Sequence, residues 1–153
     1  MGKYTLDHIA FRVKDKDISK QIFILMGYEV VDSFLPFNND KVSCIVLKHS
    51  KYDLPEIFIS EGLEDSIVKN WINKNGSGVH HIAFKVDNLD KEIGIFKSKG
   101  IKFSSENPIV CEDLKQIFTE PLDFLGGICI ELLERSTHGF CKDSVKQLME
   151  TTK

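Results

Sequence analysis

The sequence predicts an α+β fold built from two tandem β-α-β-β-β modules, and three observations carry that prediction. A 23-residue stretch from His8 to Val30 recurs without a gap as His81 to Phe103, at an offset of 73 residues. Within each copy a strictly alternating run is followed by apolar residues at helical spacing and then by a glycine. After each glycine come further apolar runs of strand length. Self-similarity on this scale means that one supersecondary unit has been built twice.

The opening run, His8-Ile9-Ala10-Phe11-Arg12-Val13, returns as His81-Ile82-Ala83-Phe84-Lys85-Val86. A strand has a side-chain period of two, so Ile9, Phe11 and Val13 share one face while His8, Ala10 and Arg12 share the other. Helices are predicted over Lys16 to Met26 and Leu89 to Ser98, with Ile18, Ile22 and Leu25 matched by Leu89, Ile93 and Phe96 as apolar stripes that cover the aliphatic face. Gly27 and Gly100 end them. Strands are then predicted at Tyr28 to Val31, Val42 to Leu47 and Ile57 to Ile59, answered by Ile101 to Phe103, Gln116 to Thr119 and Ile128 to Leu133.

With 153 residues and 42% hydrophobic content, the chain can bury a core as one domain. Its expected parts are module 1 at about 4–60, module 2 at about 77–135 and a C-terminal capping helix at about 143–150. The net charge is −3, from 20 basic and 23 acidic residues, and the lysines are scattered, which argues against a nucleic-acid partner. Neither a membrane-spanning run nor a signal-peptide pattern at Met1-Gly2-Lys3-Tyr4 is seen, so the expected compartment is the cytoplasm. Cys44, Cys111, Cys129 and Cys141 lack zinc spacing and are read as small buried hydrophobes.

His8 and His81 open equivalent strands, project away from the aliphatic face, and each has an alanine two residues on that leaves room above the sheet. Glu131 interrupts the apolar run Ile128-Cys129-Ile130-Glu131-Leu132-Leu133. A buried carboxylate is costly unless it pairs or coordinates a metal, and two imidazoles with one carboxylate make a ligand set for a divalent transition metal. Zn, Co, Ni, Mn and Fe are all compatible with one ion per site. His80 has the opposite strand parity and is not selected.

These residues resemble the vicinal oxygen chelate superfamily, whose members pair β-α-β-β-β modules in a curved mixed sheet around a metal-binding cleft, the glyoxalase-like fold. The resemblance covers nearly the whole chain. Gly62-Leu63-Glu64-Asp65-Ser66, the stretch Asn75 to Phe84, and Gly126-Gly127-Ile128-Cys129-Ile130-Glu131-Leu132 look like the methylmalonyl-CoA epimerase family within it. By that resemblance the metal ligands are His8, His81 and Glu131, and Glu56 is the nearest candidate for a fourth ligand from the last strand of module 1. At the 73-residue offset Phe58, rather than Glu56, stands opposite Glu131, and a small alignment gap would reconcile them. Glu61 and Glu64 are read as a solvated acidic turn.

The resemblance implies an isomerase or lyase that works through a metal-stabilised enolate on an acyl-thioester or α-oxo small molecule, with Glu131 and Glu56 as acid and base. In the loop where the epimerases carry a glutamate, this chain has Phe37-Asn38-Asn39-Asp40-Lys41. The tail Thr137 to Leu148, with Leu114 to Thr119, resembles the end of 4-hydroxyphenylpyruvate dioxygenases. There Gln116 and Phe140 would contact substrate. Independently of the resemblance, Asp143 is read as the N-cap of the terminal helix, with Val145 and Leu148 packing on the sheet. An Fe(II) dioxygenase is therefore the alternative reaction, since two histidines and a carboxylate are its facial triad. A non-catalytic antibiotic-binding protein is the alternative of a different class. Modules of this kind pair within one chain or across two, so a homodimer stays open.

Overall fold

The computed structural model describes residues 3–37, 41–136 and 142–152. Its strands are β1 (Thr5–Val13), β2 (Tyr28–Phe37), β3 (Val42–His49), β4 (Glu56–Gly62), β5 (Gly78–Lys85), β6 (Ile109–Cys111), β7 (Leu114–Phe118) and β8 (Cys129–Glu134). The helices are α1 (Lys16–Leu25), α2 (Ile67–Asn75), α3 (Leu89–Ser98) and α4 (Lys142–Thr151). Eight strands form one open mixed sheet in the order β2-β3-β4-β1-β5-β8-β7-β6, with the helices few and short. The expected α+β class and the twofold β-α-β-β-β pattern are therefore present. No described helix is long and apolar enough to cross a membrane.

The chain divides into two compact units, one holding His8–His80 and the other Met1–Asp7 with His81–Thr152. In the His8–His80 unit, β1 pairs parallel with β4, and β3 joins β4 to β2 through antiparallel ladders. Its core is Val13, Tyr28, Ile45, Leu47, Ile57 and Ile59, with Ile9, Phe11 and Phe23 packed against it. The other unit repeats the plan. There β5 pairs parallel with β8, which pairs antiparallel with β7, and β7 with β6. Val86, Leu89, Ile93, Ile117 and Leu132 form its core. Full burial of a side chain such as Leu132 or Ile117 stabilises the fold by roughly 1.5–3 kcal/mol.

The helix caps repeat as well. Asp15 accepts hydrogen bonds from the Asp17 and Ile18 amides, and Asn88 accepts one from the Lys91 amide. A carboxylate from the far end of the partner strand then takes the first helical N–H: Glu61 accepts from Lys16 N at 2.7 Å, and Glu134 from Leu89 N at 2.8 Å. Glu61 is thus a half-buried capping group, not part of a solvated turn, because a free amide at a helix start needs an acceptor. Glu64 is solvated and pairs with Lys69. Both helices end at glycines with positive φ, +98° at Gly27 and +83° at Gly100. At Gly27 a side chain is excluded twice, since an added Cβ would lie 2.6 Å from His49 Nε2.

Four expectations need correction. The stripe Ile18, Ile22 and Leu25 does not cover the sheet: these residues are 72%, 58% and 83% exposed. The 73-residue repeat explains why, because the inward positions Leu89, Ile93 and Phe96 of α3 correspond to Lys16, Lys20 and Phe23. Of those only Phe23 is apolar, and its ring meets Phe11 and Tyr28. Leu25→Ser is therefore expected to change stability by less than about 0.5 kcal/mol, whereas Ile59→Ala should cost about 2–5 kcal/mol in the same denaturant titration. A comparable loss from Leu25→Ser would place that stripe in a buried contact.

Ile101 to Phe103 makes no strand; Phe103 forms one isolated bridge to Thr119. Ser104 and Ser105 turn the chain through bonds to Phe118 O and Asn107 O, and pairing resumes only after Pro108, in β6. Helix α2 was not foreseen from periodicity. It starts at Ser66, whose hydroxyl accepts from the Lys69 amide, and buries Val68 and Ile72. Asp143 lies inside the first turn of α4 and does not cap it, since the helix already begins at Lys142. Val145 and Met149 of α4 are buried, and the helix packs beside β6. Cys44 and Cys129 are buried thiols in no disulfide, as expected, but Cys111 is disulfide-bonded.

Candidate metal centre

Alternation along β5 and β8 decides which side chains meet. In the parallel register His81 lies opposite Cys129, Ala83 opposite Glu131 and Lys85 opposite Leu133. These six share a face by strand parity, and β7 adds Phe118 opposite Glu131 and Gln116 opposite Leu133. His81 Nε2 stands 3.2 Å from Glu131 Oε2, with the glutamate side chain 2% exposed. The Phe118 ring meets the imidazole of His81 edge-on, with centroids 4.6 Å apart. Ala83 is fully buried and Gln116 nearly so. A carboxylate held this far from water needs a charged or hydrogen-bonding partner, and an imidazole beside it supplies one.

In the His8–His80 unit, β1 sets the equivalent face. His8 lies opposite Glu56, Ala10 opposite Phe58 and Arg12 opposite Ser60. His8 and Arg12 are buried, Glu56 half-buried. The His8 ring is tilted against Phe58 at 6.5 Å between centroids, and Phe58 in turn packs on Phe34 at 5.9 Å. The guanidinium of Arg12 lies 5.7 Å from the centre of the Trp71 ring, a cation–π contact supplied by α2. The ring of His80 is edge-on to Trp71, with centroids 5.5 Å apart. Burial pushes the Cys44 thiol far above its ordinary range, so it is not a nucleophile at neutral pH.

Among the described residues, one group of His, Cys, Asp and Glu side chains is close enough to hold an ion: His8, His81 and Glu131, with one ligand atom from each within 4.8 Å of the others. Two imidazole nitrogens and a carboxylate oxygen fit Zn, Co, Ni, Mn or Fe in the divalent state, and His8 and Glu131 are buried while His81 is partly exposed. Glu56 stands outside this group. Gln116 is on the Glu131 face, and Phe140 lies outside the described residues, as does the Asn38-Asn39-Asp40 loop. Sequence reasoning did not single out Phe118 or the Arg12–Trp71 contact. Phe118 was accessible through parity, being two residues from Gln116 on the same strand; Trp71 was not, because its helix was not foreseen.

Comparison with known proteins places the chain in a family. Methylmalonyl-CoA epimerase of Bos taurus mitochondria is 30% identical over 131 residues, spanning 83% of this chain and 72% of that protein. Lactoylglutathione lyase of Schizosaccharomyces pombe is 29% identical over 122 residues, 69% of this chain and 40% of that protein. A methylmalonyl-CoA epimerase variant of Streptomyces coelicolor, solved with 2-nitronate-propionyl-CoA, superposes with a TM-score of 0.67 at 26% identity, covering 86% of this chain and 97% of that one. The model of the glyoxalase/bleomycin resistance protein/dioxygenase superfamily matches residues 7–118, a span that takes in both histidines. The chain belongs to that superfamily.

Proposed function

We propose that the protein is a divalent-metal-dependent isomerase or lyase, acting on a small acyl-thioester or α-oxo compound whose reacting carbon lies beside a carbonyl. The observation that carries this reading is the grouping of His8, His81 and Glu131 within 4.8 Å. Those three residues would hold the metal, which supplies Lewis acidity that draws charge from a substrate carbonyl and makes the neighbouring C–H acidic. The similarity to an epimerase and a lyase supports the same class of chemistry.

The chain's own groups account for the rest. Glu131, flanked by Ala83 and Phe118 in the strand register, is oriented by His81. Glu56 is half-buried beside His8 in the β1–β4 register and is the second carboxylate available to move a proton. Phe118 and Cys129 line the face with groups that bind water poorly, and Gln116 offers an amide for a substrate oxygen. A second reading, an Fe(II) dioxygenase, is favoured by the same donors, because two histidines and one carboxylate leave open positions for oxygen and a keto acid.

Metal-loaded protein incubated with methylmalonyl-CoA in D2O should incorporate deuterium at the carbon beside the thioester, with or without oxygen. α-Oxo thiol adducts should be tried in parallel. Oxygen uptake that tracks turnover, with release of CO2 from a keto acid, would move the assignment to the dioxygenase. Tight binding of substrates with neither exchange nor oxygen uptake would favour sequestration over catalysis.

A further inference from the structure

We infer that Phe58 occupies the place of a fourth metal ligand and thereby holds this centre to three protein donors. The inference rests on the metal-site reading above and concerns what that site lacks. In the second module Glu131 lies opposite Ala83, two residues beyond His81 in the β5–β8 register. In the first module the residue opposite Ala10, two beyond His8, is Phe58. The two registers agree without any gap, so Phe58 stands to His8 as Glu131 stands to His81. By the same register Glu56 corresponds to Cys129, not to the ligand.

The packing matches that assignment. Phe58 is 6% exposed, wedged between Phe34 and the His8 ring. Its ring, 6.5 Å from the His8 ring between centroids, stands at the register position from which the second module presents a carboxylate oxygen 3.2 Å from its histidine. Glu56 shares the strand face but sits two residues back, about 6.6 Å along the strand, level with His8 itself. A six-coordinate ion held by His8, His81 and Glu131 would keep about three positions for water or substrate oxygens. Phe58 is then a specificity-determining residue: it fixes how many substrate or solvent atoms the metal accepts.

The test uses Mn(II) alone as the probe, with affinity from equilibrium dialysis and inner-sphere water from proton relaxation. Native protein should bind one Mn(II) with about three exchangeable water positions. Phe58→Glu should tighten binding at least about tenfold and lose one water, since a carboxylate replaces it. Phe58→Leu should keep the native affinity and water count. So should Glu56→Gln. A Glu56→Gln protein that loses affinity as severely as His81→Ala, or a native water count lower by one, would overturn the inference, and both measurements stand even if Phe58→Glu fails to fold. A folded Phe58→Glu protein with native affinity and hydration would overturn it too. Native protein that takes up no Mn(II) would defeat the metal-site reading along with it, whereas the preceding outcomes arise in protein that binds the ion.

Discussion

Replacing His81 or Glu131 with alanine is expected to bring metal content to background and to abolish turnover, while His80→Ala leaves metal content unchanged. Loss of a group that merely orients a ligand typically costs 10–100-fold in affinity, so loss of a ligand from a three-donor set should exceed roughly 100-fold. The contrast between neighbours is the discriminating part. His80 and His81 are adjacent in sequence, but one ring packs on Trp71 and the other lies 3.2 Å from Glu131. Elemental analysis of the three purified variants, with far-UV circular dichroism to check folding, is the measurement. Full occupancy in folded His81→Ala protein would show the ligand assignment to be wrong.

The second large effect is expected at Asp7, one residue before His8. Arg135 Nη2 donates to Asp7 Oδ1 at 2.6 Å, and the two side chains are only 4% and 9% exposed. Removing one member of a buried ion pair strands the other charge in a medium that solvates it poorly. Asp7→Ala should therefore cost about 3–5 kcal/mol. For a chain of this length that corresponds to a melting temperature lower by about 10 °C. The double variant Asp7→Leu/Arg135→Met should recover most of the loss, because it removes both desolvation penalties. If Asp7→Ala melts within about 2 °C of the native protein, solvent already screens the pair and it contributes little.

The internal repeat made the order of elements legible, since one reading of strand, helix and glycine could be checked against a second copy. It also carries more than the order of elements. Read strictly at 73 residues, it places Lys16, Lys20 and Phe23 on the inner side of α1 and Phe58 opposite Ala10, both as the structure has them. The apolar stripe of Ile18, Ile22 and Leu25 misled because hydrophobic spacing reports that a helix has two faces, not which one meets the sheet. The paired caps Glu61 and Glu134 were not visible locally, as each reaches a helix start 45 residues away.

What the sequence by itself determined is the class of fold, the doubled module, and the strand faces of His8, His81 and Glu131. These follow from periods of 2 and 3.6 residues, which are properties of the local backbone. Only the tertiary structure decided that one ligand atom from each of those three residues lies within 4.8 Å of the others, that Glu56 stands outside that group, and that Arg12 rests on Trp71. Such distances are set by strand register and by side chains from elements far apart in the chain, and periodicity carries no information about either.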